Sequence, residues 1–259
     1  MSRAIRTGLC IAVACLVAAG PAWSFGFSVQ PARVAVSVPA GKRRGKTLTV
    51  KNARPSEAVH LTIYVRDVRY ATDGSNEFVD PGTTPWSCAG WVQVSPSELD
   101  IPANATRDVR VSVTAPPDAT GGHYAVVFFE TSPSYDEGGI GVNFRIGAVV
   151  EAVVPGTQRH DMRITNAAFQ PPDTVAVTLF NEGNLLIRPK GALKIFDAAG
   201  RKVHQQHFNR PAVGVLPKTE RQLIQKIEAP LAPGRYRVSA EVDYGARTLI
   251  VGELPVDIR

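Results

Sequence analysis

The chain has 259 residues, of which 44% are hydrophobic and 20% are charged. This ordinary globular composition excludes a disordered chain, a coiled coil and a collagen. The formal charge is +6, but two arginines lie in the first 24 residues, so the rest of the chain carries only 6 − 2 = +4. A balance this mild, without a clustered basic stripe, does not predict nucleic-acid binding.

Residues 1–24 have the three parts of a secretory signal peptide. Two arginines form a cationic start, an uncharged apolar run covers residues 8–20, and Ala22-Trp23-Ser24 places small residues before a cleavage point. The apolar run has about 13 residues, whereas a membrane-spanning helix needs about 20. The sequence therefore predicts a protein exported to the periplasm or the cell surface, with a mature chain that begins at Phe25.

Cys88 is the only cysteine of the predicted mature chain, because Cys10 and Cys15 leave with the signal peptide. An exported domain without a disulfide must be stabilised by its core. No histidine lies near Cys88 in sequence. We therefore expect this residue to be a half-buried small hydrophobic side chain, with intermolecular pairing left open.

Hydrophobic alternation with a period of two dominates the first half of the mature chain. Val34, Val36 and Val38 alternate with small residues, and similar runs cover 47–51, 61–65 and 109–113. Turn sequences rich in Pro, Gly, Asn and Asp close each run. Such alternation places one face of each strand in a core and the other in water, which is typical of a two-layer antiparallel sandwich.

The strand pattern continues to a linker and then restarts. Residues 124–130 form a continuous apolar run that predicts a central strand, a polar loop follows at 131–139, and a long final strand is predicted at 140–154. After the linker, about seven short strands are predicted at 164–169, 175–180, 192–196, 203–208, 222–227, 236–242 and 249–256. The sequence therefore predicts an all-β fold of two tandem immunoglobulin-like β-sandwich domains, at 25–155 and 162–259, joined by a linker at 156–161.

No pattern of reactive residues indicates an active site. Of the five histidines, His204 and His207 lie three apart on a predicted strand, so their side chains face opposite sides of the sheet and cannot chelate a metal. The motifs of zinc proteases, serine hydrolases and Cys-x-x-Cys redox proteins are missing. The glycine-rich stretch 138–141 leads into a strand, so it lacks the helix N-terminus that would hold a phosphate. We expect a non-enzymatic protein that binds other proteins and needs no cofactor and no metal.

A basic quartet lies between the first two long strands and consists of Lys42, Arg43, Arg44 and Lys46. One interpretation is a solvated turn. The other is a contact with an anionic surface such as lipopolysaccharide or a cell-wall polymer, which the clustered charge would attract.

The strand before the linker carries an alternating apolar row that includes Val142, Phe144 and Ile146. The row faces its own core in one interpretation. In the other it belongs to a strand edge kept open for pairing with another molecule, because proteins normally blunt long apolar edges.

Residues 25–155 resemble the N-terminal domain of the PapD-like periplasmic pilus chaperones. The similar stretches are Pro31 to Val36, Pro39 to Asn52, Trp91 to Asn104 and Pro117 to Glu130. The resemblance implies that the strand before the linker completes the fold of a pilus subunit, which is donor-strand complementation. It also implies an outer-membrane usher as a further partner.

The same resemblance implies roles for individual side chains. Val142, Phe144 and Ile146 would be the donor side chains, and Arg33 would bind the terminal carboxylate of the subunit. The second residue of this carboxylate clamp is a lysine in the family, but the matching position here is Glu151. Arg145 is the candidate to replace that lysine if it points into the cleft.

A second resemblance covers both predicted domains. Trp91 to Glu130 is similar to the first domain of WxL-interacting cell-surface proteins, and Asn181 to Asn184 with Gly234 to Tyr236 is similar to the second. This resemblance implies binding to the cell wall and to partner proteins.

The preferred hypothesis is a periplasmic chaperone-like protein that binds pilus subunits by strand donation. The alternative is a cell-envelope scaffold or adhesion protein that binds cell-wall or partner proteins. A carbohydrate-binding module would need an exposed aromatic platform, for which Trp86 and Trp91 are the candidates.

Overall fold

The computed structural model describes residues 26–70, 75–135, 141–210 and 212–258. The predicted signal peptide and its cleavage point lie outside these residues, and so does most of the glycine-rich stretch 138–141. Within the described ranges, no helix is long and apolar enough to cross a membrane.

In the described residues, the first sandwich has twelve strands and a short 3-10 turn at Ala89–Trp91. The strands are β1 (Phe27–Gln30), β2 (Arg33–Ser37), β3 (Arg43–Asn52), β4 (Val59–Tyr70), β5 (Asn76–Val79), β6 (Val92–Ser95), β7 (Glu98–Ile101), β8 (Thr106–Thr114), β9 (Gly122–Thr131), β10 (Ser134–Tyr135), β11 (Gly141–Val142) and β12 (Arg145–Val153).

Two sheets form the layers of this sandwich. The back sheet has the order β1-β3-β8-β6, and the front sheet has the order β2-β12-β9-β4-β5, with β7 also paired to β4. Strands β2 and β12 run parallel, whereas β12 is antiparallel to β9. The alternating residues predicted to face inward meet in one core, in which Leu48, Val50, Val109 and Val111 are wholly buried. Burial of these apolar faces stabilises the sandwich without a disulfide.

The predicted long strand at 140–154 is wrong in one respect, because it is divided into β11 and β12. The division falls at Asn143 and Phe144. Across the hairpin, the Phe144 N–H donates to the side-chain hydroxyl of Thr131 at 2.9 Å rather than to a main-chain carbonyl. The Thr131 hydroxyl therefore replaces one of the two main-chain bonds of this pair, while the Thr131 N–H still donates to the Phe144 carbonyl at 3.0 Å, and the regular ladder ends here.

The second sandwich has seven strands in the described residues. They are β13 (Met162–Gln170), β14 (Thr174–Asn181), β15 (Lys190–Asp197), β16 (Lys202–Phe208), β17 (Glu220–Lys226), β18 (Gly234–Asp243) and β19 (Ile250–Ile258). Their sheets have the orders β13-β14-β17 and β16-β15-β18-β19 and enclose a second core around Leu179, Leu193, Ile195 and Phe208. The predicted fold class of two immunoglobulin-like sandwiches is confirmed.

The two sandwiches meet at a buried seam beside residues 154–161. Trp86, Tyr124 and Leu216 pack together there, and the Tyr124 hydroxyl accepts the backbone N–H of Leu186. Gly121 has a φ of +76°, and a Cβ at this position would lie 2.4 Å from the carbonyl oxygen of Asn184. Only glycine therefore allows the backbones of the two sandwiches to approach this closely.

Trp86, Trp91 and Cys88 are buried or partly buried in the protein. Trp86 is buried in the seam, and the ring of Trp91 is partly buried with its centroid 4.1 Å from that of His123. Neither tryptophan forms an exposed platform for a sugar. Cys88 was predicted to be half-buried but is wholly buried, so that prediction is wrong. Burial, with the nearby charge of Asp67, raises the pKa of the Cys88 thiol.

Candidate functional site: the cleft between the sandwiches

A cleft of about 570 Å³ opens between the outer surface of the front sheet and the second sandwich. Strands β9 and β12 form its floor on the first sandwich. Leu186, Arg188, Leu216 and Arg221 line it from the second sandwich. The surface is mixed, because apolar and aromatic side chains alternate with arginines.

One edge of β12 is covered along only part of its length. Residues 149–153 lie between β9 and β2, whereas residues 145–148 pair with β9 alone among the described strands. The Val149 N–H donates to the carbonyl of Ala32 on the β2 side. Because alternate residues of a strand direct their backbone groups to opposite neighbours, the N–H and C=O groups of Arg145 and Gly147 face the uncovered side. We call residues 145–148 the open edge.

The alternating row predicted from sequence changes its burial along the strand. Val142 is 44% exposed, Phe144 and Ile146 are partly buried against the first core, and Ala148, Val150 and Ala152 are wholly buried. The row thus faces the core of its own sandwich at one end and is accessible at the other. The three predicted donor residues lie at the accessible end, with Val142 and Phe144 just before the open edge and Ile146 within it.

The opposite face of β12 lines the cleft with Arg145, Gly147, Val149 and Glu151. In the register of the two strands, Gly147, Val149 and Glu151 lie opposite Phe128, Val126 and Tyr124 of β9. A Cβ at position 147 would lie 2.7 Å from Cγ1 of Val126 and 2.9 Å from the ring of Phe128. Gly147 therefore leaves the space in which these β9 side chains pack across the neighbouring strand.

Glu151 joins two arginines at one end of the cleft. Its Oε1 atom lies 3.1 Å from Nε of Arg33 and 2.5 Å from Nη2 of Arg188. The side chain of Glu151 is 13% exposed, against 55% for Arg33 and 29% for Arg188. In the described part of the chain, this is the one ion pair that connects the two sandwiches. Two guanidinium groups facing one carboxylate leave a net positive charge at this end of the cleft.

Arg145 lies at the other end of the cleft. Its guanidinium is 4.5 Å from the centroid of the Phe128 ring, and its Nη1 is 3.5 Å from the hydroxyl of Tyr64. Six residues of extended strand separate it from Glu151, which is about 20 Å. The structure therefore brings Arg33 together with Arg188, not with the predicted Arg145, although Arg145 does line the cleft. Sequence reasoning missed Arg188, which lies on the second sandwich.

A polar network holds the segment that enters the open edge. The Tyr64 hydroxyl donates to the carboxylate of Glu130, and Nδ2 of Asn143 donates to the other oxygen of that carboxylate at 2.6 Å. Burial, and then the Glu130 carboxylate, raise the pKa of Tyr64, so its hydroxyl stays protonated and available as a donor. Asn143 and Arg145 flank Phe144, so this network fixes the direction in which the Phe144 side chain leaves the backbone.

The basic quartet lies on the other side of the first sandwich. Lys42 belongs to the turn before β3, and Arg43, Arg44 and Lys46 belong to β3 of the back sheet. All four are exposed. The cleft and the quartet therefore belong to opposite layers. The described residues contain no group of three or more His, Cys, Asp or Glu that could hold a metal ion.

No protein-family model matches the chain, and no curated protein matches its sequence. Solved structures do match. CfaA, a chaperone of class 5 fimbriae, superposes with a TM-score of 0.54 at 15% identity over 89% of this chain and 100% of that chain. The fold is that of the fimbrial chaperones. A structure of a chaperone–tip adhesin complex of CFA/I fimbriae matches with a TM-score of 0.53, also at 15% identity and over the same shares of the two chains.

The structural match spans both sandwiches and confirms the predicted resemblance to PapD-like chaperones at the level of the fold. The predicted clamp and donor residues, the usher and the resemblance to WxL-interacting proteins stay predictions.

Proposed function

We propose that the protein is an exported, non-catalytic chaperone-like protein that binds fibre subunits by adding the open edge of β12 to a client sheet. The observation that carries this proposal is the uncovered stretch of residues 145–148 beside the cleft. Main-chain groups at such an edge pair with an incoming strand, and alternate side chains supply selectivity. The shared fold with fimbrial chaperones supports the same class of client.

The start of β2 limits where a client strand can end, and the charge of Arg33 favours one direction for it. Strand β2 runs parallel to β12 and begins at Arg33, which is level with Val149. A client strand on the open edge must therefore stop where β2 begins. If the client strand also runs parallel to β12, its C-terminal carboxylate meets the guanidinium of Arg33, whereas an antiparallel strand would bring its N-terminal ammonium there. Charge favours the parallel direction.

The apolar row supplies the side-chain contacts in this proposal. Val142, Phe144 and Ile146 would enter the unfilled core of the client, because their side chains lie at the end of the row that the first sandwich does not enclose. The side chains of Ala148, Val150 and Ala152 are enclosed by their own core and make no contact with the client. Three successive positions of alternating apolar side chains fit a groove in an incomplete sheet.

The carboxylate of the client would bind between Arg33 and Arg188. Each guanidinium has five N–H donors, so both groups keep donors beyond those used by Glu151. Charge-assisted bonds from two arginines would anchor a carboxylate at the end of the strand. In this proposal Arg188 takes the role of the family's lysine, and Glu151 orients both arginines.

The remaining parts of the proposal follow from the sequence. The predicted signal peptide places the protein in the periplasm, and an outer-membrane usher would receive the loaded chaperone. The basic quartet would add a peripheral contact with an anionic surface of the cell envelope. If the open edge binds no client, the alternative is an envelope scaffold that uses the same two sandwiches.

A proline substitution at the open edge tests strand addition. The Arg145 N–H faces the uncovered side, so Arg145→Pro removes one donor without breaking the ladder to β9. Arg145→Ala is the matched control, because it loses the same side chain and keeps the N–H. The probe is a fluorescent peptide of alternating apolar residues with a free C-terminal carboxylate, and its binding is measured by anisotropy.

We expect Arg145→Pro to bind this peptide about tenfold more weakly than Arg145→Ala, which is the effect of one main-chain hydrogen bond. The same peptide with an amidated C-terminus should bind more weakly to both variants. Equal binding by the proline and alanine variants, with both shown to be folded by circular dichroism, would rule out pairing at this edge.

A further inference from the structure

The back sheet concentrates positive charge on the side of the first sandwich that faces away from the cleft. The sheet and the turn that enters it carry seven exposed cations, which are Lys42, Arg43, Arg44, Lys46, Lys51, Arg107 and Arg110. We call this set the cationic face. Asp108 is the only carboxylate on the four strands, and it accepts a hydrogen bond from the Thr49 hydroxyl at 2.9 Å. Seven cations and one carboxylate give this layer a formal charge of 7 − 1 = +6.

These cations have no counter-charge, whereas four of the five other cations of the first sandwich are ion-paired, the exception being Arg145. Arg54, Arg66 and Arg69 are ion-paired with carboxylates on neighbouring residues or strands, and Arg33 is ion-paired with Glu151. Over the described ranges, none of the seven cations of the cationic face is in an ion pair with a carboxylate. The uneven distribution indicates a layer adapted to an external anion.

Register separates five of the seven cations into an outward group and an edge group. The outward group consists of Arg43, Lys51 and Arg110, which occupy positions on β3 and β8 whose side chains point away from the core. The edge group consists of Arg44 and Lys46, which alternate with the outward positions of β3. They lie along the part of the β3 edge that β1 leaves uncovered, since β1 pairs only with residues 49–52. Charges on an uncovered edge also prevent pairing with other sheets. The outward group has no such structural role.

The outward group lies flat on the sheet. A Cβ at Gly45 would lie 3.5 Å from both Nε and Nη2 of Arg110, so the guanidinium of Arg110 extends over the glycine. The guanidinium of Arg43 donates to the side chain of Gln93 at 3.2 Å. The surrounding outward positions hold glycine, serine, threonine, glutamine and the one carboxylate, Asp108, and none of the exposed large hydrophobic residues lies on this sheet.

This composition selects the kind of partner. A protein interface would need a buried aromatic or aliphatic anchor, and a single-stranded nucleic acid would need aromatic side chains for stacking. A flat sheet of about 30 Å by 15 Å with spread positive charge and no apolar anchor instead matches a planar array of phosphates. The surface of an anionic lipid leaflet is such an array and attracts each nearby Lys or Arg.

We propose that the cationic face docks the protein peripherally on an anionic lipid leaflet. The cleft and the open edge of β12 belong to the front sheet, so docking by the back sheet leaves both accessible. The contact is electrostatic, without insertion of side chains into the hydrocarbon. It does not depend on strand addition and holds for a scaffold as well as for a chaperone.

Vesicle flotation tests this proposal with the processed, exported protein. The vesicles contain either phosphatidylglycerol with phosphatidylcholine or phosphatidylcholine alone. We expect flotation with the anionic vesicles only. We also expect it to be lost at about 1 M salt, where the Debye length is about 3 Å.

Three sets of substitutions identify the surface. The outward variant combines Arg43→Ser, Lys51→Ser and Arg110→Ser, and we expect its partition onto the anionic vesicles to fall about 100-fold. The edge variant combines Arg44→Ser and Lys46→Ser. The control removes three exposed cations of the second sandwich, by Arg201→Ser, Lys202→Ser and Arg235→Ser, and should partition like the unmodified protein.

Three outcomes would overturn the proposal. An outward variant that floats like the unmodified protein while the edge variant aggregates on size exclusion would show that the charges serve only to protect the β3 edge. An equal loss in the control variant would show a dependence on net charge without a defined face. Binding to soluble polyphosphate without flotation on anionic vesicles would indicate a polymer as the partner.

Discussion

Replacing Glu151 with glutamine should have opposite effects on stability and on client binding. The substitution keeps the shape of the side chain but removes the carboxylate that holds Arg33 and Arg188. The pair with Arg33 is half exposed, so solvent screening leaves it worth about 0–1 kcal/mol. The pair with Arg188 is less exposed, and a hydrogen bond between charged groups there is worth about 1–3 kcal/mol. We expect the free energy of unfolding to fall by about 1–2 kcal/mol.

Client binding should become stronger in the same variant. A carboxylate that binds both arginines would lie roughly 6 Å from the carboxylate of Glu151, and the two would repel each other by about 1–3 kcal/mol at an effective dielectric constant of about 20–40. Removing the charge of Glu151 should therefore increase the affinity for a peptide with a free C-terminal carboxylate by about 10- to 100-fold. The affinity for the amidated peptide should change little. Fluorescence anisotropy at low and high salt measures both affinities, and urea unfolding measures the stability.

Glu241→Gln is the matched control for this prediction. Glu241 forms a similarly half-buried ion pair with Lys194 at 2.5 Å, on the second sandwich. Neither residue lines the cleft. The control should lose a comparable amount of stability and bind both peptides like the unmodified protein. If Glu151→Gln binds the free-carboxylate peptide more weakly, or fails to distinguish it from the amidated peptide, Arg33 and Arg188 do not form a carboxylate site.

Three further substitutions test the apolar row and the seam. Phe144→Glu should leave a folded protein, since Phe144 is only partly enclosed, but should abolish peptide capture in a pull-down. Ala148→Glu places a charge in the core and should unfold the domain, and equal circular dichroism spectra for the two variants would contradict this account. Tyr124→Phe should lower the free energy of unfolding by about 1–3 kcal/mol, because it leaves the N–H of Leu186 without its acceptor. A urea midpoint unchanged from that of the unmodified protein would show that water replaces the hydroxyl.

Much of the fold could be predicted because the physical rule behind it is local. Alternation of Val34, Val36 and Val38, and of the corresponding residues on other strands, places each strand in a layer without knowledge of its neighbours. The division of the predicted 140–154 strand could not be found in this way. It depends on the Thr131 hydroxyl, which approaches Phe144 only after the β9–β12 hairpin has formed. A contact of this kind is absent from any single stretch of sequence.

The same distinction applies to the site. The period of two places Arg145 and Glu151 on one face of a strand and Phe144 and Ile146 on the other, and this separation is present in the structure. Which residues of the row are accessible depends on where β2 begins to cover β12. Arg188 carries no local signal at all, because it comes within 2.5 Å of Glu151 only when the second sandwich docks against the first.

Strand β12 is part of the scaffold along one half and an uncovered edge along the other, and the two halves meet where β2 begins. Beyond Val149, neighbours on both sides and a filled core make the strand part of the scaffold. Before it, the backbone edge is uncovered and the apolar row is only partly enclosed. The open edge is therefore held in place by the buried half of the same strand at one end and by the hydrogen bonds of Glu130 at the other. An edge anchored at both ends loses little conformational entropy when a client pairs with it, because its own backbone is already ordered.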